Sequence, residues 1–85
     1  MKVDAYRSGS HPSYGLVVPA RAALSDFTGE VAVAISKLQP LTKSKTGDLD
    51  TMFNGDLVTF LESQLKEKGA GLAKVAVSFT ELAGG

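Results

Sequence analysis

The chain has no cysteine and only one histidine among its 85 residues. The first absence excludes disulfides, thiol nucleophiles, thiolate metal sites and redox switching. The second leaves a transition metal without enough ligands. There is also no excess of charge. Nine basic residues balance nine acidic ones, so no whole-molecule field draws in a polyanion and nucleic acid is not an expected partner. Nor is there a long apolar run, since no window approaches the ~18 apolar residues of a membrane span. The opening Met1-Lys2-Val3-Asp4-Ala5-Tyr6-Arg7 carries charges where a signal peptide places its apolar region. Ala20-Arg21-Ala22 imitates a cleavage pattern, but the apolar stretch before it is only Leu16 to Val18 and ends at Pro19. These readings predict a cytoplasmic protein without membrane association.

What is present fits a globular domain. The hydrophobic fraction is 44%, too high for a disordered chain. We expect one domain over residues 1–85 with a flexible tail at 81–85. At this length only about 60–65% of the unfolded chain's surface can be buried, so the core is small.

One stretch organises the rest. From Asn54 to Lys68, Leu57, Phe60, Leu61 and Leu65 recur at helical spacing with Val58 at the edge of the stripe, while Glu62, Ser63, Lys66 and Glu67 face away. Asn54 is positioned to cap the first turn. Asp56 suits the positive end, Lys66 and Lys68 the negative end, and Gly69 the left-handed stop. Around this helix, Lys2 to Tyr6 and Tyr14 to Val18 read as two strands joined by the turn-rich loop Ser8 to Ser13, an antiparallel hairpin in which Gly15 is a candidate bulge.

Thr28-Gly29-Glu30-Val31 resembles a capping box, and Val31, Ala32, Ala34, Ile35 and Leu38 favour a short helix ended by Gln39-Pro40. Val31, Val33 and Ile35 also alternate as a strand would. Residues 20–29 fit either helix or loop. Leu41 to Lys43 reads as a short strand before a loop from Ser44 to Asp50, and Leu72 to Phe79 as the final strand, with Val75, Val77 and Phe79 on one face. The predicted fold is an α+β two-layer sandwich of order β-β-α-β-α-β. Both helices pack on one face of a small mixed sheet, and the third and fourth strands run parallel if they pair.

Tyr6-Arg7-Ser8, the hairpin strand Tyr14-Gly15-Leu16-Val17-Val18, Leu38-Gln39-Pro40-Leu41 and the helix end Glu67-Lys68-Gly69 resemble, in sequence and placement, YcgL-type domains. The likeness spans most of the chain in pieces of three to five residues. It departs after the long helix, where Ala70-Gly71-Leu72 stands in place of aromatic residues. The resemblance implies a small bacterial α/β sandwich without an assigned chemistry.

Candidate chemistry is sparse. His11 lies among Ser8, Ser10 and Ser13 with Asp4 on the preceding strand, but the loop offers no oxyanion site, so a solvated histidine is the better reading. Asp48 to Asp56 superficially resembles a calcium loop. With Gly55 as the turn glycine, however, Met52 and Leu61 occupy positions that need oxygen ligands. Lys37, Lys43 and Lys45, with Arg7 if the hairpin lies nearby, form a candidate basic patch that lacks a phosphate-binding glycine turn. Phe27, Phe53, Phe60 and Phe79 read as core. Leu82-Ala83-Gly84-Gly85 is similar to the ends of β-grasp sulfur carriers and ubiquitin-like modifiers, in which a Gly-Gly carboxylate threads into an adenylating enzyme.

No cofactor, metal or catalytic site is expected. The favoured function is a protein-interaction or ligand-binding module, a monomer or weak dimer, acting through Tyr6, Arg7, His11 and Tyr14 toward an unknown protein partner. The alternative is a carrier acting through Gly84 and Gly85.

Overall fold

The first hairpin forms the centre of the sheet. The computed structural model describes residues 1–72. In it, β1 (Lys2–Ser8) pairs antiparallel with β2 (Gly15–Pro19), with Ala5 opposite Val17 and Arg7 opposite Gly15. After a 3-10 turn at Leu24–Asp26 come α1 (Gly29–Leu38), β3 (Leu41–Asp48), the single-turn α2 (Leu49–Met52), α3 (Gly55–Lys68) and β4 (Gly71–Leu72). The sheet order is β3-β1-β2-β4 and every pairing is antiparallel.

The α+β class and its two main helices agree with the sequence reading, but three details are corrected. First, the sheet is antiparallel rather than mixed. β3 and β4 lie at opposite edges, so no parallel crossover joins them. Second, the two helices cover opposite faces. Leu16, Val17 and Val18 are all completely buried, which a strand achieves only when both its faces are covered. Leu16 and Val18 pack with Val31, Ala34, Ile35 and Leu38 of α1. Val17 joins Val3 under Leu61 and Leu65 of α3, with Leu49 of α2.

Third, the expected loop from Ser44 to Asp50 is the second half of a long strand and the start of α2. β3 pairs with β1 from Ser8↔Leu41 to Lys2↔Asp48, and almost every residue along it is exposed or half-exposed. Apolar alternation is missing because β3 is an edge strand held by backbone pairing. The irregularity expected at Gly15 lies instead in this pairing. The register shifts between Ala5 and Tyr6, whose partners are Lys45 and Lys43, leaving Ser44 as the extra residue. Its hydroxyl donates to the Ala5 carbonyl at 3.2 Å. A shift of this kind keeps Lys43 and Lys45 on different faces of the sheet.

α3 starts and stops where its sequence signals predict. Asn54 stands at the N-cap, although its side chain makes no cap hydrogen bond, and its carbonyl accepts from Val58 N–H at 2.8 Å. Gly69 ends the helix at φ 81° and donates to Leu65 O at 3.0 Å, a left-handed stop that glycine adopts at no steric cost. Phe60 is half-buried, so Leu61 and Leu65 are the anchors of the stripe. Thr28 stands at the N-cap of α1 without a side-chain cap bond, and Glu30 pairs with Lys68 at the end of α3 in place of a capping-box contact. That carboxylate, bonded to the ammonium, raises the Lys68 pKa. The predicted final strand begins within the described residues as β4, and its Val75, Val77 and Phe79 lie outside them.

One turn carries backbone strain. Ala22 N–H donates to Pro19 O at 3.0 Å, closing a turn with Arg21 in third position at φ 72°, the conformation for which type II turns select glycine. Arg21→Gly is expected to stabilise the fold by about 0.5–1 kcal/mol, the relief of a left-handed non-glycine residue less the added freedom of the unfolded chain. Urea unfolding measures it, and an unchanged or lower midpoint contradicts the assignment of strain.

Candidate ligand-binding cleft

On the α3 face of the sheet, side-chain size falls sharply along the hairpin. Val3 and Val17 lie under α3. Farther toward the hairpin loop the same face carries Ala5 and Gly15, which leave the space above them unfilled. The result is a cleft of about 250 Å³. Its floor is Ala5, Gly15 and Val17. The hairpin loop contributes Pro12, Ser13 and Tyr14, β3 contributes Ser44 and Lys45, and the end of α2 contributes Met52 and Phe53. Arg7 completes the lining, together with parts of Tyr6 and Leu16.

Charge is distributed unevenly over the two faces. Lys43 lies on the α1 face, 3.6 Å from Asp4 Oδ2 and 6.0 Å from the centroid of the Tyr6 ring. Asp4 is nearly inaccessible. Its Oδ1 accepts from Thr46 Oγ1 at 2.7 Å and its Oδ2 from Arg21 N–H at 3.1 Å. The Thr46 hydroxyl is the main cause holding the Asp4 carboxyl below the usual aspartate range. Burial opposes it, and the Arg21 amide and Lys43 reinforce it.

Arg7 and Lys45 belong to the other face. Ala5 pairs with Lys45, and Arg7 follows two positions along β1, so the two cations are diagonal neighbours with Cα atoms about 7–8 Å apart. Both side chains are exposed, and among the described residues neither forms an ion pair with a carboxylate and no Asp or Glu lines the cleft.

The four residues singled out in the sequence therefore occupy different places. Arg7 lines the cleft, and Tyr6 and Tyr14 both contribute to its lining while also packing on the α1 core. His11 is not part of the lining, but its ring meets that of Tyr14 edge-on with centroids 5.9 Å apart. Gly84 and Gly85 lie outside the described residues.

His11 Nδ1 is 3.0 Å from Ser10 Oγ. That hydroxyl donates to Lys37 O at 3.0 Å, so the imidazole supplies the proton of the Ser10–His11 bond rather than taking one. Asp4 is bonded to Thr46 and Arg21, so it does not orient the ring. The Ser8 hydroxyl donates to Leu38 O at 2.6 Å, which makes this loop a cap for the end of α1.

The candidate basic patch is divided. Lys45 and Arg7 share the cleft, Lys43 is on the opposite face, and Lys37 lies in the last turn of α1. In the candidate calcium loop, the Asp48 carboxylate accepts from Asp50 N–H at 3.3 Å and caps α2. Phe53, read as core, does pack against the α3-side cluster but also lines the cleft, a second role that sequence reasoning missed together with the pairing of Lys45 with Arg7. No pattern in the sequence signals that pairing, which depends on the extension of β3 past Lys43.

A search against known protein families, curated proteins and solved structures finds no match to this chain. No helix among the described residues is long and apolar enough to cross a membrane.

Proposed function

We propose that this chain is a non-catalytic binding module whose working surface is the cleft beside the first hairpin, where it takes a ligand or a side chain of a protein partner. One observation carries the reading: Arg7, Tyr14, Lys45 and Phe53, from four different segments, line one cleft over a floor of small residues. Two half-buried aromatic rings supply apolar contact area, and two exposed cations supply orientation, the usual composition of a small-ligand site or an interface anchor. No pair of titratable groups in the cleft has the arrangement of a nucleophile and its base.

The module is read as a cytoplasmic monomer or weak dimer. A carrier role at Gly85 has less support. The described topology is antiparallel throughout and places its longest helix after β3, whereas a β-grasp domain has its principal helix between the second and third strands.

An NMR screen of small neutral and charged fragments tests the proposal. Amide shift changes are expected to concentrate at Ala5, Arg7, Tyr14, Gly15, Lys45 and Phe53, and Tyr14→Ala is expected to weaken the best binders about tenfold through lost stacking and burial. Binders that cluster elsewhere, or that ignore both Tyr14→Ala and Arg7→Ala, overturn it.

A further inference from the structure

Among the described residues the two cations in the cleft have no carboxylate partner. Two side-chain ion pairs among those residues join different elements, Lys43 with Asp4 and Lys68 with Glu30. Arg7 and Lys45 sit diagonally on neighbouring strands with no acid among the described residues of the lining. They stand beside a half-buried phenylalanine and tyrosine. At about 250 Å³ the space is below the usual 300–1,000 Å³ range for drug-sized ligands, so its occupant is compact.

Resting on the binding-module reading, we infer that the cleft recognises a small organic anion, a carboxylate or phosphate monoester on a flat apolar body. The anionic group lies between Arg7 and Lys45, and the body lies against Phe53 and Tyr14. The guanidinium presents a planar fork of donors to carboxylate or phosphate oxygens, and the ammonium adds a point charge. Ser13 and Ser44 also belong to the lining, with the Ser44 hydroxyl proton donated to the Ala5 carbonyl. Bringing an anion between Arg7 and Lys45 also relieves the repulsion between the two cations, so binding is tighter at low ionic strength.

The test uses three aryl probes of similar shape, phenyl phosphate, benzoate and neutral benzamide, titrated into the full chain and followed by amide chemical shifts. The expected result is that both anions shift the amides of Arg7, Lys45 and Phe53 and bind at least tenfold tighter than benzamide at 50 mM NaCl. That advantage should shrink at 300 mM. Arg7→Gln and Lys45→Gln, both at exposed positions, are each expected to weaken the anions about tenfold and leave benzamide unchanged.

Tighter binding of phenyl phosphate than of benzoate identifies phosphate monoesters as the class, and the reverse identifies carboxylates. If benzamide binds in the cleft as tightly as the anions, or if Arg7→Gln and Lys45→Gln leave the anions unaffected, the inference is wrong while the binding site stands. If none of the probes shifts the cleft amides, the inference and the site fail together.

Discussion

Leu61→Ala is expected to lower the unfolding free energy by about 2–5 kcal/mol, the range for truncating a fully buried leucine into a cavity that closes only in part. A chain of 85 residues has roughly 4–13 kcal/mol in total, so this one change removes a large share of it. Leu61 is inaccessible to solvent and shares its cluster with Val3, Val17, Leu49 and Leu65. It is the point where α3 grips the hairpin.

The packing is tight from the other side as well, because a Cβ added at Gly71 would come within 2.8 Å of Leu61 Cδ2. The volume-conserving Leu61→Met is expected to cost less than about 1.5 kcal/mol. Chemical denaturation of the three proteins checks the ordering. A loss below 1 kcal/mol for Leu61→Ala means that α3 is not anchored as described.

The second large effect is expected at Asp4. Asp4→Ala leaves the Thr46 hydroxyl and the Arg21 amide without their acceptor, at a cost of about 2–3 kcal/mol, as is usual for bonds to a buried charged group. The pH dependence carries more information. The Thr46 hydroxyl holds the folded-state pKa of Asp4 below its ordinary value of 3.8.

In the unfolded chain the carboxyl therefore takes up its proton at a higher pH than in the folded chain. Its contribution to stability is fully present above the unfolded value and is lost as pH falls through the unfolded value toward the folded one. The stability gap between the natural protein and Asp4→Asn should accordingly be constant from about pH 7 to 5 and narrow below about pH 4. Urea midpoints from pH 7 to pH 3 measure it. A gap that widens toward acid reverses the sign and removes the argument. Thr46→Val is expected to reproduce part of the loss, because it deletes the donor that contributes most.

The cleft and the core are opposite uses of one sheet face. At Val3 and Val17, branched side chains meet Leu61 and the space is filled. At Ala5 and Gly15, two positions farther along each strand, Ala5 touches the edge of that cluster but the side chains are too small to fill the space above them, and it stays open. A single gradient of side-chain volume along the hairpin thus separates the part of the α3 face that stabilises from the part available to bind.

Much of this architecture is legible in the chain. The long helix is the clearest case: Asn54, the Leu57-Leu61-Leu65 stripe and Gly69 each specify it independently, and α3 runs Gly55–Lys68 with Asn54 and Gly69 as its flanking caps. The hairpin is legible for the same reason, since its loop is turn chemistry and its strands are β-branched and aromatic. The coverage of both sheet faces runs against the expected packing of both helices on one face, although the unbroken apolar run Leu16-Val17-Val18 carries the signal, because a strand buried on one side alternates and this one does not.

Other features had no local signal. Nothing in Thr42-Lys43-Ser44-Lys45-Thr46 distinguishes a polar loop from an edge strand, since an edge strand exposed on both sides need not follow an apolar pattern. The partner strand decides the matter.

By itself, then, the sequence determined the elements whose stability is local: the hairpin, α3 and the left-handed stop at Gly69, each encoded by periodicity, capping position or turn residues within a dozen positions. At 31–35 its pattern fits helix and strand alike, and the structure decided for α1. Only the tertiary structure decided which helix covers which face, that β3 extends to Asp48, and that Arg7 and Lys45 stand together beside Tyr14 and Phe53. These depend on backbone pairing between segments nearly 40 residues apart, and backbone hydrogen bonds are the same for every residue except proline, so they leave little trace in side-chain pattern.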